Sequence, residues 1–152
     1  MPADVTEPNT VLLLSGPNLN LLGERQPEIY GSATLADHVA TATAEAERHG
    51  LTVEHLQSNH EGELVEHLHR LEGLADAIVM NPGAWTHYAW AIRDALELTG
   101  LPCVEVHLSD VMAREEFRRA SVIRDLCIET VSGQGPDGYR AALARLKREL
   151  DV

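Results

Sequence analysis

Five short apolar runs, each separated from the next by a helical or polar segment, constrain this chain more than any other feature of its sequence. They fall at residues 11–14, 51–56, 77–80, 102–106 and 126–131. The first reads as a buried strand, the second as strand-like and the other three as strands. Helical periodicity marks residues 35–49, closed by Gly50, and residues 61–74, with Leu64, Val65, Leu68 and Leu71 on one face. Two further helices are expected at 87–98, ended by Gly100, and at 139–150. Such alternation predicts an α/β fold, a five-stranded parallel sheet with helices on both faces in three layers. The expected topology is flavodoxin-like and doubly wound, with ligands bound at the carboxyl ends of the strands. We find no repeat, low-complexity tract or linker, so a tail at residues 1–9, expected to be disordered, precedes one domain at 10–152.

At 152 residues the chain can bury a sizeable core. Its formal net charge of −12 argues against a nucleic-acid or anionic-membrane partner, because a surface that tracks phosphates needs a basic face. A small anionic substrate stays compatible, since a few buried arginines can set the local field. No apolar stretch approaches the ~18 residues of a membrane span, and residues 1–9 lack a signal pattern. The cytoplasm is therefore the expected compartment. Cys103 and Cys127 lie within apolar runs and read as two reduced core thiols.

One connection breaks the pattern. Residues 15–34, between the first strand and the first helix, exceed the usual βα loop of about 2–6 residues. They carry Asn18, Asn20, Arg25, Pro27 and Tyr30, a composition that reads as a functional lid. Polar residues also collect where the other strands end: Gln57-Ser58-Asn59-His60-Glu61, Asn81-Pro82-Gly83-Ala84 and Glu105-Val106-His107-Leu108-Ser109, with Arg114 and Arg118 soon after. Any one of these amides could be a turn or cap residue. Four consecutive strands ending this way at one edge describe a polar site for a hydroxylated ligand.

Other motifs carry less. Gly133-Gln134-Gly135-Pro136-Asp137-Gly138 spells a dinucleotide fingerprint, but no strand with an acidic residue about 20 positions on can follow, so it reads as a strand-to-helix turn. His67 and His69 stand two apart on a helix, about 200° around it, and do not face one metal. The one lysine, Lys147, lies near the end of the last helix, far from every strand end. A Schiff-base mechanism needs a lysine in the pocket.

The ordered motifs resemble one family. Gly16-Pro17-Asn18-Leu19-Asn20-Leu21-Leu22-Gly23, Arg25-Gln26-Pro27-Glu28-Ile29-Tyr30-Gly31 and Gln57-Ser58-Asn59-His60-Glu61-Gly62-Glu63 look like the type II 3-dehydroquinate dehydratases. So do Asn81-Pro82-Gly83-Ala84 with Thr86-His87, Arg93-Asp94-Ala95-Leu96, Glu105 to Ser109, and Ala113-Arg114-Glu115-Glu116-Phe117-Arg118. The similarity runs from about Val11 to the last helix. Departures lie at Asp110, Met112, Ala120, Val122, Trp85, Tyr88 and Trp90, none of them the expected acid or base.

The resemblance implies a hydro-lyase of shikimate biosynthesis or quinate breakdown. Its reaction would be anti elimination of water from 3-dehydroquinate through an enolate, with no cofactor, no metal and no Schiff base. Tyr30 would take the C2 proton, Arg25 would favour the ionised tyrosine, and His107 would protonate the departing hydroxyl. Glu105 would orient His107, and Asn18 would hold a water that stabilises the enolate. Asn81, His87 and Arg118 would grip substrate hydroxyls, and Ser109 with the Leu108 backbone would take the carboxylate. Asp94 resembles a residue that reaches a neighbouring subunit's site, in a homo-oligomer of trimers assembled to a dodecamer. The alternative is a weakened paralogue that binds a related polyhydroxylated carboxylate. A flavodoxin-like cofactor or receiver domain fits less well, because the first strand's end has neither a Ser/Thr-rich phosphate loop nor an acidic pair.

Overall fold

Each expected strand forms, and all five join one parallel sheet. The computed structural model of the chain describes residues 9–24 and 26–151. Strands β1 (Thr10–Ser15), β2 (Thr52–Gln57), β3 (Ala77–Asn81), β4 (Cys103–His107) and β5 (Glu129–Ser132) lie in the order β2-β1-β3-β4-β5. Helices α1 (Pro27–Tyr30), α2 (Leu35–Arg48), α3 (Glu61–His69), α4 (Trp90–Thr99) and α5 (Pro136–Leu150) complete the order of regular elements. The strand order reverses at β1, so the carboxyl ends of β1 and β3 open a crevice there.

Two apolar layers sandwich the sheet, and the pleat sorts residues between them. Val11 and Leu13 of β1 join Ala42, Ala46, Tyr139 and Leu143 from α2 and α5. Leu12 and Leu14 face the other way, toward Leu64, Leu68, Ile92 and Leu96 from α3 and α4. Burial on both faces explains why the central strands read as unbroken apolar runs. Helix α2 starts at a reciprocal cap: Asp37 N–H donates to Thr34 Oγ1 (3.1 Å), and Thr34 N–H donates to Asp37 Oδ2 (2.9 Å).

Several boundaries differ from the sequence expectation. The third helix does not begin at His87. Residues Gly83–His87 make a 3₁₀ turn that buries Trp85, and the α-helix starts only at Trp90. Tertiary contacts override periodicity here, because His87 is drawn to the Ala120 carbonyl (2.7 Å). The second helix ends at His69 rather than Leu74, and the last begins at Pro136, whose fixed φ suits a first helical position. Leu126 and Cys127 are apolar because they pack in the core beside a 3₁₀ turn (Arg124–Leu126), not because they pair; β5 begins at Glu129. Cys103 is fully buried and Cys127 partly so, and both are free thiols. The Gly133-to-Gly138 motif is the β5-to-α5 turn, with Gly133 and Gly135 at positive φ (74° and 54°). Of the expected tail only Asn9 falls among the described residues, and its carbonyl accepts from Thr52 N–H (2.9 Å).

His38 of α2 is buried at 1% exposure against the Tyr139 ring (centroids 5.4 Å apart). Neither ring nitrogen has a hydrogen-bond partner among the described residues. Burial holds its pKa below the ordinary 6.5, and burial lowers that of His55 in the same way. The unfolded chain therefore takes up protons near pH 6.5 that the folded chain resists. This contribution to stability is complete above that pH and is lost as pH falls toward the folded pKa. Thermal unfolding should show Tm falling from pH 7 to pH 5, with a shallower slope in His38→Leu. An unchanged slope would mean that His38 protonates as freely in the folded chain as in the unfolded one.

Candidate active site

The strand ends are stitched into one rim by their own polar groups. Gly16 N–H donates to the Asn81 carbonyl (2.8 Å), joining β1 to β3. Gln57 Nε2 donates to the Gly16 carbonyl (3.1 Å), and Asn18 N–H donates to Asn59 Oδ1 (2.9 Å), joining β1 to β2. Asn81 Oδ1 accepts from Gly83 N–H (3.2 Å) and its Nδ2 donates to the Tyr139 hydroxyl (3.4 Å). Asn59 and Gln57 are thus rim braces, whereas Asn18 and Asn81 also face a cavity.

That cavity lies at the carboxyl ends of β1, β3 and β4, holds about 50 Å³ and opens to solvent. Its lining brings together Asn18, Tyr30, Asn81, His87, His107, Leu108, Ser109 and Arg118, eight of the residues singled out from sequence. Glu105 lies beneath it with no exposed surface. Arg25 lies outside the described residues. Asp94 is exposed on α4 and is not part of the lining.

Two hydrogen-bonded groups stand at the cavity. On β4, Glu105 and His107 share a face, and the buried carboxylate Oε2 is hydrogen-bonded to His107 Nε2. A carboxylate can only accept, so the bond fixes a proton on Nε2 and leaves Nδ1 for the cavity. Across the cavity, Tyr30 packs its ring against the core layer under α2 and α5. Its hydroxyl accepts from Arg114 Nη1 (2.8 Å), and the guanidinium carbon stands 5.2 Å from the ring centroid. Arg114 is the residue that sequence reasoning leaves without a role. The signal available was its place after β4, in a short polar segment that must fold back over the strand ends.

Charge is local here. Arg114 and Arg118 both line the cavity, placing two cations there although the whole chain carries −12. Glu115 restrains them from outside, accepting from Arg118 Nε (2.7 Å) and lying 3.9 Å from Arg114 Nε. Burial lowers the His87 pKa, against the opposing pull of the Ala120 carbonyl. Since that carbonyl only accepts, neutral His87 carries its proton on Nδ1 and offers Nε2 as an acceptor for a hydroxyl. Lys147 sits on α5, paired with Asp151 (3.1 Å), and is not among the lining residues.

An α/β fold of this strand order thus brings to one cavity a phenol held by a guanidinium and a histidine backed by a buried carboxylate, groups of the kind used in acid–base chemistry. Residues 9–147 match the model of the family described as dehydroquinase class II. A 3-dehydroquinate dehydratase of Corynebacterium glutamicum is 54% identical over 93% of this chain and 99% of its own length. A catabolic 3-dehydroquinase of Verticillium alfalfae is 50% identical over 93% and 95%. The crystal structure of a type II dehydroquinase from Propionibacterium acnes superimposes with a TM-score of 0.87 at 40% identity, covering 92% of this chain and 97% of that one. The chain belongs to the class II dehydroquinase family.

Gly16 holds the rim together because nothing larger fits. A Cβ there would stand 2.1 Å from the Pro82 carbonyl oxygen and 2.5 Å from its carbon, both backbone atoms. Gly16→Ala must push β1 and β3 apart where Asn18 and Asn81 face the cavity. Overpacking of this kind costs about 1–3 kcal/mol, and each kcal/mol is worth about 2–4 °C of Tm at this size. Calorimetry and steady-state kinetics should show both a lower Tm and a lower kcat/KM.

Proposed function

We propose that this chain eliminates water from 3-dehydroquinate, anti and through an enolate, to give 3-dehydroshikimate. The observation that carries this reading is the pairing of Tyr30 on Arg114 with His107 on Glu105 across one cavity. Membership of the family and the relatives' activity support it.

The phenolate of Tyr30 takes the C2 proton, with the Arg114 guanidinium opposing the charge on its oxygen before the proton arrives. Electrons from the C2–H bond pass into the C3 carbonyl, and Asn18 with a bound water steadies the enolate oxygen. His107 then gives a proton from Nδ1 to the C1 hydroxyl, which leaves as water while the C1–C2 double bond forms. The C2 proton returns from Tyr30 to His107 through solvent, which restores both groups and balances the loss of one water. Arg25, five positions before Tyr30 in the sequence, assists its ionisation. Asn81, His87 and Arg118 hold the ring hydroxyls, and Ser109 with the Leu108 N–H takes the carboxylate. The route is free of metal and of Schiff base, which fits a chain whose single lysine lies on α5 away from the cavity.

The test is a direct assay. Purified enzyme and 3-dehydroquinate should give the rising absorbance of a conjugated enone, unchanged by a chelator or by borohydride. No product at micromolar enzyme would end the reading. Tyr30→Phe should lower kcat by about 10²-fold or more while KM changes little, since the phenolate acts in the transition state.

The catalytic unit spans residues 10–152 and works in the cytoplasm as a homo-oligomer, trimers assembling to a dodecamer, with Asp94 reaching a neighbouring site. Among the described residues no helix is long and apolar enough to cross a membrane. Trp90 and Tyr88 are 63% and 59% exposed beside His87 and α4, an apolar surface suited to a second copy. Light scattering should return a mass near twelve chains; a monomeric mass with full activity would refute both the assembly and the role of Asp94.

A further inference from the structure

Behind the cavity the chain crosses in a short segment, Ala120-Ser121-Val122, which several hydrogen bonds anchor. The Ala120 carbonyl accepts from His87 Nδ1 (2.7 Å). Val122 N–H donates to the Thr86 carbonyl (2.8 Å), and its own carbonyl accepts from Arg93 Nη1 (2.8 Å). The Arg93 guanidinium also holds the Asp125 carboxylate (2.5 and 2.8 Å), so α4 grips the segment at its Val122 end while His87 holds it at Ala120. Between these anchors, Ser121 Oγ lies 2.9 Å from Glu105 Oε1.

The polarity of that last contact follows from the turn. Ser121 Oγ accepts from the backbone N–H groups of Ile123 (3.3 Å) and Arg124 (3.1 Å). A hydroxyl has two lone pairs and one proton. With both lone pairs turned to N–H donors, its proton points at Glu105. The other hydroxyl near Oε1, Thr130 Oγ1, is at 3.5 Å and contributes less. Glu105 has no exposed surface, and a buried carboxylate needs hydrogen-bond donors in place of water. A carboxylate that loses a donor is freer to turn away from the imidazole.

We propose that Ser121 is a positioning residue of this site, whose hydroxyl, aimed by the Ile123 and Arg124 N–H groups, keeps Glu105 oriented so that His107 presents Nδ1 to the cavity. The inference rests on His107 acting as the acid. It differs from a purely local capping role, in which Ser121 would serve the 3₁₀ turn at Arg124 and leave the chemistry untouched.

Steady-state kinetics with 3-dehydroquinate and thermal unfolding would be run on Ser121→Ala, Ser121→Thr, His107→Asn and the Ser121→Ala/His107→Asn double variant. Loss of a hydrogen bond to a charged group should lower kcat of Ser121→Ala about tenfold, with KM moving less than about twofold. Ser121→Thr keeps the hydroxyl and should recover most of the loss. In the His107→Asn background, Ser121→Ala should cost nothing further. A kcat for Ser121→Ala within about twofold of the parent would overturn the proposal. So would a loss that Ser121→Thr does not recover, or one that persists undiminished without His107. If Ser121→Ala does not fold, Ser121→Cys, which exchanges a strong donor for a weak one, carries the same expectation and the same refutation. His107→Asn with the parent's kcat would instead remove the acid assignment, and this inference with it, in a different variant.

Discussion

The carboxylate of Glu105 sits in the middle of a buried strand with no exposed surface, and the arrangement of the site follows from the need to satisfy it. An ionised group in such a place is tolerated only with donors around it. β4 supplies His107 two residues on, β5 supplies Thr130, and the crossing segment supplies Ser121. Each donor comes from a different stretch of chain, so the charge ties the sheet's edge to the loops that roof it. The same tie fixes which nitrogen of His107 faces the cavity.

Tyr30 is placed by a different kind of constraint. Glu105 and His107 stand on a central strand, where the register of the sheet sets their position. Tyr30 ends a four-residue helix in a long connection and is held by core packing of its ring and by Arg114. That connection carries two positive-φ residues other than glycine, Asn18 (67°) and Gln26 (36°). Such backbone persists where surrounding contacts hold it. The Asn18 N–H bonded to Asn59 is one of them. The rigid half of the site is thus built into the sheet, and the other half is assembled from two loops that meet over it.

Much of this was legible from the order of residues. Short apolar runs between helical stretches gave the α/β class and the three layers, because strands buried on both faces have no polar alternation to hide them. The site's position followed from amides, histidine and hydroxyls gathered after four strands. Boundaries were less legible where tertiary contacts outweigh local pattern. His87 belongs to a 3₁₀ turn because Trp85 is buried and Ala120 holds the imidazole, and Leu126 and Cys127 are apolar without being in a strand. Arg114 could be seen as a cation near the strand ends, but nothing in sequence placed it on a tyrosine 84 positions away.

By itself the sequence determined the elements, the parallel sheet and the edge that carries the site. These follow from periodicity, turn residues and composition, which act between near neighbours in the chain. Only the tertiary structure decided the pairings: Arg114 on Tyr30, Ser121 on Glu105, Ala120 on His87 and Arg93 across the crossing segment. Hydrogen bonds act over about 3 Å, so partners distant in sequence are chosen by the way loops pack over the sheet. No spacing in a one-dimensional chain encodes that choice.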